Sequence, residues 1–258
     1  MKVVLLAGGF GTRISEESQF KPKPMVELGE MPIMWHIMKL YSHYGFNEFV
    51  ICAGYKQEVI KDYFASYFLH CSDVTFDFSK DNSNVVVHKT HAEPWQVTVV
   101  DTGLNTMTGG RVKRVRDYIG NEPFFLTYGD GVGDVDINAL LAFHKSHGKK
   151  VTMTSVNPGQ RFGSLDIAED GHITEFREKS KRDGFWINGG FMVCEPSFID
   201  SIEGDETVLE KEPLEKMAKT GELMAYRHTG FWQQMDTVAE RRLLEKLWAS
   251  GKAPWKVW

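Results

Sequence analysis

Short apolar runs alternate along the chain with segments of helical periodicity. Residues 3–6 form a continuous apolar run, which is typical of a strand buried on both faces of a mostly parallel sheet. A helical apolar face over 32–44, a second buried strand at 49–53 and a second amphipathic helix at 57–69 follow. The order strand, helix, strand, helix predicts right-handed parallel crossovers in a doubly wound sheet.

The rest of the chain extends this pattern. It predicts strands at 124–128, 151–156, 187–193 and 223–228, and helices at 137–147, 208–220 and 238–250. Pro213 must kink the helix at 208–220 or begin a new one. Alternating runs at 85–88 and 97–100 predict strands at the margin of the sheet, and runs at 163–168 and 172–176 flank Glu169-Asp170-Gly171 and predict a hairpin. We expect an α/β fold with a mixed, mostly parallel, Rossmann-like sheet and a small β appendage, in one domain over 1–258.

Composition narrows the possible functions. The 258 residues carry 30 Lys and Arg against 35 Asp and Glu, a net charge of −5 that does not suggest nucleic-acid binding. No apolar run approaches the ~20 residues of a membrane span, and the amino terminus has no signal-peptide pattern, so we expect a soluble cytoplasmic protein. Cys52, Cys71 and Cys194 lie far apart and are expected to be reduced thiols. His88 and His91 lack further ligands nearby and are not expected to bind metal.

Three glycines within four positions follow the first strand, in Gly8-Gly9-Phe10-Gly11. Without Cβ atoms, successive backbone N–H groups can point at the oxygens of a phosphate chain, and Arg13 adds a planar cation. The loop lacks the third glycine and the later acidic residue of a dinucleotide fingerprint, and no Walker A loop occurs. The loop predicts a triphosphate cradle, although a tight turn without a ligand is the alternative from the glycines alone.

Two lysines lie on a proline-stiffened segment, Lys21-Pro22-Lys23-Pro24-Met25. Such a segment can hold an ammonium group over the cradle, whereas alone it is more often a solvated basic loop. Taken together, Leu-Ala-Gly-Gly-x-Gly-Thr-Arg and Lys-Pro-Lys-Pro-Met resemble the signature of the sugar-1-phosphate nucleotidyltransferases. This combination favours an enzyme.

Two aspartates are candidate metal ligands. Asp130 lies between Gly129 and Gly131 at the carboxyl end of an apolar strand, where open α/β sheets bind ligands. Beside a triphosphate it could bind Mg²⁺, although it could also be a turn residue. Asp236 is the second carboxylate that one Mg²⁺ would need, or else a cap for the helix at 238–250. Asp136 is predicted to cap the helix that begins at 137.

Two further stretches could bind anions. Gly109-Gly110-Arg111 at the start of a helix running to Ile119 would offer free N–H groups and a charge, with a simple cap as the alternative. Glu178, Lys179 and Asn188 could meet a sugar phosphate, the carboxylate and amide binding hydroxyls and the ammonium binding phosphate. A solvated hairpin end explains these residues equally well on local grounds.

The family resemblance implies roles for individual residues, and later motifs such as Glu93-Pro94-Trp95 and 251–256 point to the branch that transfers cytidylyl groups. Arg13, Lys23, Asp130 and Asp236 would be catalytic, and Asp130 and Asp236 would hold Mg²⁺. Glu178, Lys179 and Asn188 would bind glucose 1-phosphate. The residues that would bind CTP are Leu6, Ala7, Gly8, Gly9, Phe10, Gly11, Thr12, Arg13, Lys23, Thr106, Arg111 and Gly129.

The resemblance also implies a biological setting. Family members assemble into homo-oligomers, with a hexamer expected in this branch, and supply CDP-glucose for the dideoxysugars of bacterial surface polysaccharide such as O-antigen. Two departures concern the sugar end: Ser180 follows Glu178-Lys179 in place of the usual proline, and residues 157–161 are altered.

The sequence contains no convincing Ser/His/Asp or Cys/His arrangement, and the expected reaction needs none. A sugar phosphate has a second pKa of about 6, so its oxygen is already a nucleophile at neutral pH. The hypothesis is in-line attack of glucose 1-phosphate on the α-phosphorus of CTP, which gives CDP-glucose and pyrophosphate. The alternatives are a uridylyl- or thymidylyltransferase acting on a hexose 1-phosphate, and a non-catalytic regulatory subunit that binds a nucleotide sugar.

Overall fold

The computed structural model describes residues 1–11, 19–79, 84–158, 164–167, 173–177 and 186–258, with only the strand pairing for 164–167 and 173–177. The strands are β1 (Val3–Ala7), β2 (Glu27–Leu28), β3 (Met31–Pro32), β4 (Glu48–Ala53), β5 (Ser72–Asp77), β6 (Asn84–Thr90), β7 (Gln96–Asp101), β8 (Phe124–Tyr128), β9 (Gly131–Gly133), β10 (Val151–Val156), β11 (Ser164–Ile167), β12 (Ile173–Arg177), β13 (Ile187–Cys194), β14 (Leu223–His228) and β15 (Trp232–Gln234). The helices are α1 (Ile33–His43), α2 (Gln57–His70), α3 (Thr108–Arg114), α4 (Arg116–Ile119), α5 (Ile137–His147), α6 (Glu212–Lys219) and α7 (Val238–Ala249).

Seven strands form one sheet in the order β14-β10-β13-β8-β1-β4-β7. β1 is parallel to both β4 and β8, β4 is parallel to β7, and β10 is parallel to β14. Only β13 runs antiparallel to its neighbours, β8 and β10. The prediction of a mixed, mostly parallel sheet is therefore confirmed.

Helices cover both faces of this sheet, which explains the uninterrupted apolar run in β1. Val3 and Leu5 belong to a core shared with α1, α2, α5 and α7, whereas Val4 and Leu6 belong to a second core shared with α3, α4 and α6. The tail after α7 closes the first core: Trp255 is 1% exposed and stacks on Phe231 with 5.6 Å between ring centroids. The tail therefore docks on the body of the chain.

Several predicted boundaries change. The helix expected to run to Ile119 breaks at Val115 into α3 and α4. The helix expected over 208–220 begins only at Glu212, with Pro213 in its first turn, where a missing N–H costs nothing. Of the two strands expected at the sheet margin, β7 is the sheet edge, but the prediction for 85–88 is wrong because β6 pairs with β5 in a separate antiparallel ribbon.

Two other antiparallel pairs lie outside the main sheet. β11 and β12 pair as the expected hairpin, whose turn lies outside the described residues. β9 and β15 form a short ribbon in which Gly131 faces Gln234.

Asp136 caps α5 as predicted, with its carboxylate accepting from the Ala139 N–H at 2.9 Å. Within the described ranges, no helix combines the length and apolarity needed to cross a bilayer.

Candidate active site

A cavity of about 610 Å³ opens at the carboxyl ends of β1 and β8. Its walls come from the glycine loop, the Lys23 turn, the segment before α3, and the ends of β8 and β15. The predicted nucleotide residues that line it are Leu6, Ala7, Gly8, Gly9, Phe10, Gly11, Lys23, Thr106, Arg111 and Gly129. Thr12 and Arg13 lie outside the described residues. Segments far apart in sequence thus form one cavity.

The Arg111 side chain packs against Gly8 of the glycine loop. Its guanidinium donates to Thr102 Oγ1 at 2.8 Å and to three backbone carbonyl oxygens, those of Ala53, Gly103 and Leu104. Burial lowers the pKa of this guanidinium. A Cβ on Gly8 would lie 2.2 Å from Nη1 of Arg111, so only glycine fits there. A direct contact between Arg111 and a nucleotide stays a prediction.

The N–H groups at the start of α3 are bonded within the protein. Gly109 and Gly110 both donate to the carbonyl oxygen of Thr207, at 2.9 and 3.3 Å. A Cβ on Gly109 would lie 2.7 Å from that oxygen, and one on Gly110 would lie 2.6 Å from the Cα of Asp205. The prediction that these N–H groups are free for an anion is wrong, because the glycines let the 205–209 segment approach the helix.

Lys23 lies at the centre of the site. It begins a short 3₁₀ turn, Lys23–Met25, that follows the extended Pro22, and only 8% of it is exposed. Its ammonium group lies 2.6 Å from Asp130 Oδ2 and also contacts Asp236 Oδ1. Pro24 of the same turn packs under Gly129, where a Cβ would lie 2.9 Å from the Pro24 ring. The prolines therefore fix the ammonium group at the edge of the cavity.

The β9–β15 ribbon brings the two aspartates together, although they are more than a hundred positions apart in sequence. Asp130 directly precedes β9, and the Met235 N–H donates to the Asp130 carbonyl oxygen at 2.8 Å. The alternative for Asp236, a cap of α7, is wrong: Thr237 is the cap, in a capping box with Glu240. The sequence Asp-Thr offers two cap candidates, and the one three residues before a glutamate makes the box.

The two carboxylates fit a divalent cation. Both already converge on one positive charge, the ammonium group of Lys23. In the described part of the chain, no group of three or more His, Cys, Asp or Glu side chains could hold a metal ion. A magnesium ion commonly binds one or two carboxylates and completes its shell with phosphate oxygens and water. The donor set therefore fits Mg²⁺ together with a phosphate ligand.

A second cavity of about 240 Å³ adjoins the first and shares Tyr128, Asp130 and Gln234 with it. Asn188, the predicted sugar-phosphate ligand, lines it, whereas Glu178 and Lys179 lie outside the described residues. The wall also contains Glu210 and Trp232, which the sequence analysis did not identify. The sequence could have indicated Tyr128 as a site residue, because it directly precedes Gly129-Asp130. Glu210 lies in a charged stretch that carries no motif.

A mixed α/β sheet with a glycine cradle, a buried lysine and paired aspartates at its carboxyl edge defines a nucleotide-dependent transferase. Residues 2–237 match the family described as "Nucleotidyl transferase". The chain belongs to this family, and it is an enzyme that transfers nucleotidyl groups.

Individual relatives and structures agree. The chain is 58% identical over 259 aligned residues to the glucose-1-phosphate cytidylyltransferases of Salmonella typhi and Salmonella typhimurium, with 100% of each chain covered. It is 43% identical to a probable glucose-1-phosphate cytidylyltransferase of Bacillus subtilis, also over 100% of both chains. The crystal structure of HddC from Yersinia pseudotuberculosis superposes with a TM-score of 0.70 at 23% identity, covering 96% of this chain and 99% of that one. This last likeness supports the fold.

Proposed function

We propose that the protein transfers a cytidylyl group from CTP to glucose 1-phosphate and releases CDP-glucose and pyrophosphate. The observation that carries this proposal is the 58% identity, over the whole of both chains, to two glucose-1-phosphate cytidylyltransferases. The geometry supports it, because two cavities of unequal size meet at Asp130. The larger cavity would hold the nucleoside triphosphate and the smaller one the hexose phosphate.

The residues at this junction hold two anions rather than move a proton. The sugar phosphate oxygen is mostly deprotonated at neutral pH, so a general base has nothing to remove. The glycine loop would bind the triphosphate through backbone N–H groups, and Lys23 would stabilise charge on the departing pyrophosphate. Asn188 would bind the sugar phosphate from the smaller cavity. These contacts would align the attacking oxygen with the α-phosphorus.

Asp130 and Asp236 are the residues that would hold Mg²⁺. A bound Mg²⁺ neutralises charge on phosphate oxygens and polarises the phosphorus. The convergence of both carboxylates on the Lys23 ammonium supports this assignment. Arg13, Glu178 and Lys179 remain proposed ligands for phosphate and sugar on the strength of the resemblance.

The wider proposals concern assembly and location. We propose one nucleotidyltransferase domain over 1–258 in a cytoplasmic protein that acts in surface polysaccharide synthesis, with no nucleic-acid or membrane partner. A homo-oligomer, expected as a hexamer, is supported by the β5–β6 ribbon. The ribbon side chains Phe76, Val85, Val86 and Val87, with Phe78 directly after β5, are 38–76% exposed, and exposed apolar patches of this kind mark protein contacts.

The assembly is tested by sedimentation of the wild type and of Val86→Glu. The wild type should sediment as an oligomer, because burial of the ribbon's apolar side chains would stabilise contacts between copies. Val86→Glu should dissociate it at the same protein concentration. A monomeric wild type would refute this part of the proposal.

The function is tested by pyrophosphate release with four nucleoside triphosphates crossed with several hexose 1-phosphates. The expected result is turnover with CTP and glucose 1-phosphate at least tenfold faster than with any other pair. Faster turnover with UTP or dTTP would establish the other transferase. Absence of turnover with every pair, despite nucleotide-sugar binding, would establish a regulatory subunit.

A further inference from the structure

Glu210 accepts hydrogen bonds from two hydroxyl groups. One belongs to Tyr128, which lines both cavities, and the other to Thr108, which lines the larger cavity. Glu210 lies just before α6, and its Oε1 accepts from the Tyr128 hydroxyl at 2.5 Å while its Oε2 accepts from Thr108 Oγ1 at 2.7 Å. An ionised carboxylate can only accept hydrogen bonds. Both hydroxyl hydrogens are therefore directed at Glu210.

This direction determines what Tyr128 can offer to Asn188. The phenol oxygen accepts from Asn188 Nδ2 at 3.3 Å, while Asn188 Oδ1 accepts from the Gly190 N–H at 2.8 Å. Burial, reinforced by the Glu210 carboxylate, raises the pKa of Tyr128 far above neutral pH, so the phenol keeps its proton. The Asn188 amide is thus fixed with its NH₂ group towards Tyr128, and that group has a second hydrogen to donate.

The same chain of bonds connects the two cavities. Thr108 lines the larger cavity, Asn188 and Glu210 line the smaller one, and Tyr128 lines both. Thr108 Oγ1 also accepts from the Leu209 N–H at 2.9 Å, so this hydroxyl group bonds both Glu210 and the backbone of the preceding residue. One carboxylate therefore joins the first residue of α3 to the ends of β8 and β13.

We propose that Glu210 is a positioning residue for the sugar phosphate: through the Tyr128 hydroxyl, it holds the Asn188 amide as a donor to the sugar. This inference rests on the proposed function, because it needs a sugar phosphate in the smaller cavity. Glutamine at 210 has one acceptor oxygen for two hydroxyls. The Tyr128 hydroxyl could then turn towards Asn188, and the amide would have to flip.

The test measures KM for each substrate separately in Glu210→Gln. We expect KM for glucose 1-phosphate to rise about tenfold, as for the loss of one hydrogen bond, with KM for CTP within about twofold of wild type. Tyr128→Phe keeps the ring and should give the same selective rise, which keeps the test valid if Glu210→Gln folds poorly. Glu212→Gln is the matched control, since Glu212 is exposed and lines neither cavity.

The double variant separates positioning from direct contact. If Glu210 acts through Tyr128, Glu210→Gln should change KM for glucose 1-phosphate less than about twofold in the Tyr128→Phe background. Additive effects would overturn the positioning role, and so would equal changes in both KM values or none. An inert wild type would overturn the proposed function and this inference together. An active wild type with unselective variants would overturn this inference alone.

Discussion

The ammonium group of Lys23 lies 2.6 Å from Oδ2 of Asp130 and reaches Asp236 from the same position. One buried cation thus balances two carboxylates that would otherwise repel each other. Any divalent cation bound by those carboxylates must share or displace this ammonium. Lys23 and the proposed metal ion would therefore share one pair of carboxylate ligands.

Removal of this ammonium should strengthen divalent cation binding when no nucleotide is present. In Lys23→Met the two carboxylates lose their counter-charge, so we expect Mn²⁺ to bind about tenfold more tightly than in wild type. Electron paramagnetic resonance of free Mn²⁺ measures this. Lys21→Met is the control, because Lys21 lies on the same segment but pairs with Glu27 at 2.8 Å. Equal or weaker Mn²⁺ binding by Lys23→Met would show that the lysine and the metal do not compete.

Loss of one of the two proposed metal ligands should reduce turnover without unfolding the protein. We expect Asp130→Asn to lower kcat by ~10²–10³ at saturating Mg²⁺, because transition-state charge loses its stabilisation. Asp136→Asn is the matched control, since asparagine also caps helices and Asp136 lines neither cavity. Steady-state kinetics with thermal melts separate the two effects. Near-normal turnover of Asp130→Asn would exclude the assigned role.

The glycine loop should be intolerant of a methyl group at one position and tolerant at the next. A Cβ at Gly8 meets the Arg111 guanidinium, which cannot move away without losing its hydrogen bonds, whereas a Cβ at Gly9 meets nothing within 4 Å. We expect Gly8→Ala to cost about 1–3 kcal/mol and several degrees in Tm. Gly9→Ala should melt like wild type. Equal melting temperatures would mean that the loop is not supported by Arg111.

Acidification should destabilise the protein through His36. Burial lowers the pKa of His36 from 6.5 to about 4, and its ring accepts from Trp255 Nε1 at 3.4 Å. The unfolded chain therefore binds this proton more readily, so stability is complete above pH 6.5 and is lost as pH falls below it. The expected loss is about 1.4 kcal/mol per pH unit between pH 6 and 5. Urea unfolding at several pH values measures it, and His36→Gln should have a shallower dependence.

The sequence predicted the sheet and the segments that line the larger cavity because their signals are local. Continuous apolar runs required strands buried on both faces, and the glycines and prolines fixed the backbone around Gly8 and Lys23. For the start of α6, the cap of α7 and the partner strand of β6, the sequence allowed more than one possibility. Such choices are settled by tertiary contacts, as when β6 pairs with β5 rather than with the main sheet.

The hydrogen bonds of Glu210 with Tyr128 and Thr108 could not be predicted in the same way. Glu210 contacts Tyr128 and Thr108 across more than eighty positions, and its own neighbours are charged residues of an ordinary surface stretch. Asn188 was detectable only as a polar residue at the entry of an apolar strand. Roles of this kind depend on which distant segments meet, and no local spacing encodes that.

The β9–β15 ribbon makes the meeting of Asp130 and Asp236 depend on synthesis of both its strands. Asp236 follows the second strand of that ribbon, so a nascent chain has only Asp130 in place until residues 232–236 have left the ribosome. Nascent chains should therefore neither retain a metal–nucleotide complex nor consume substrate. We expect catalytic competence only after β15 has paired with β9.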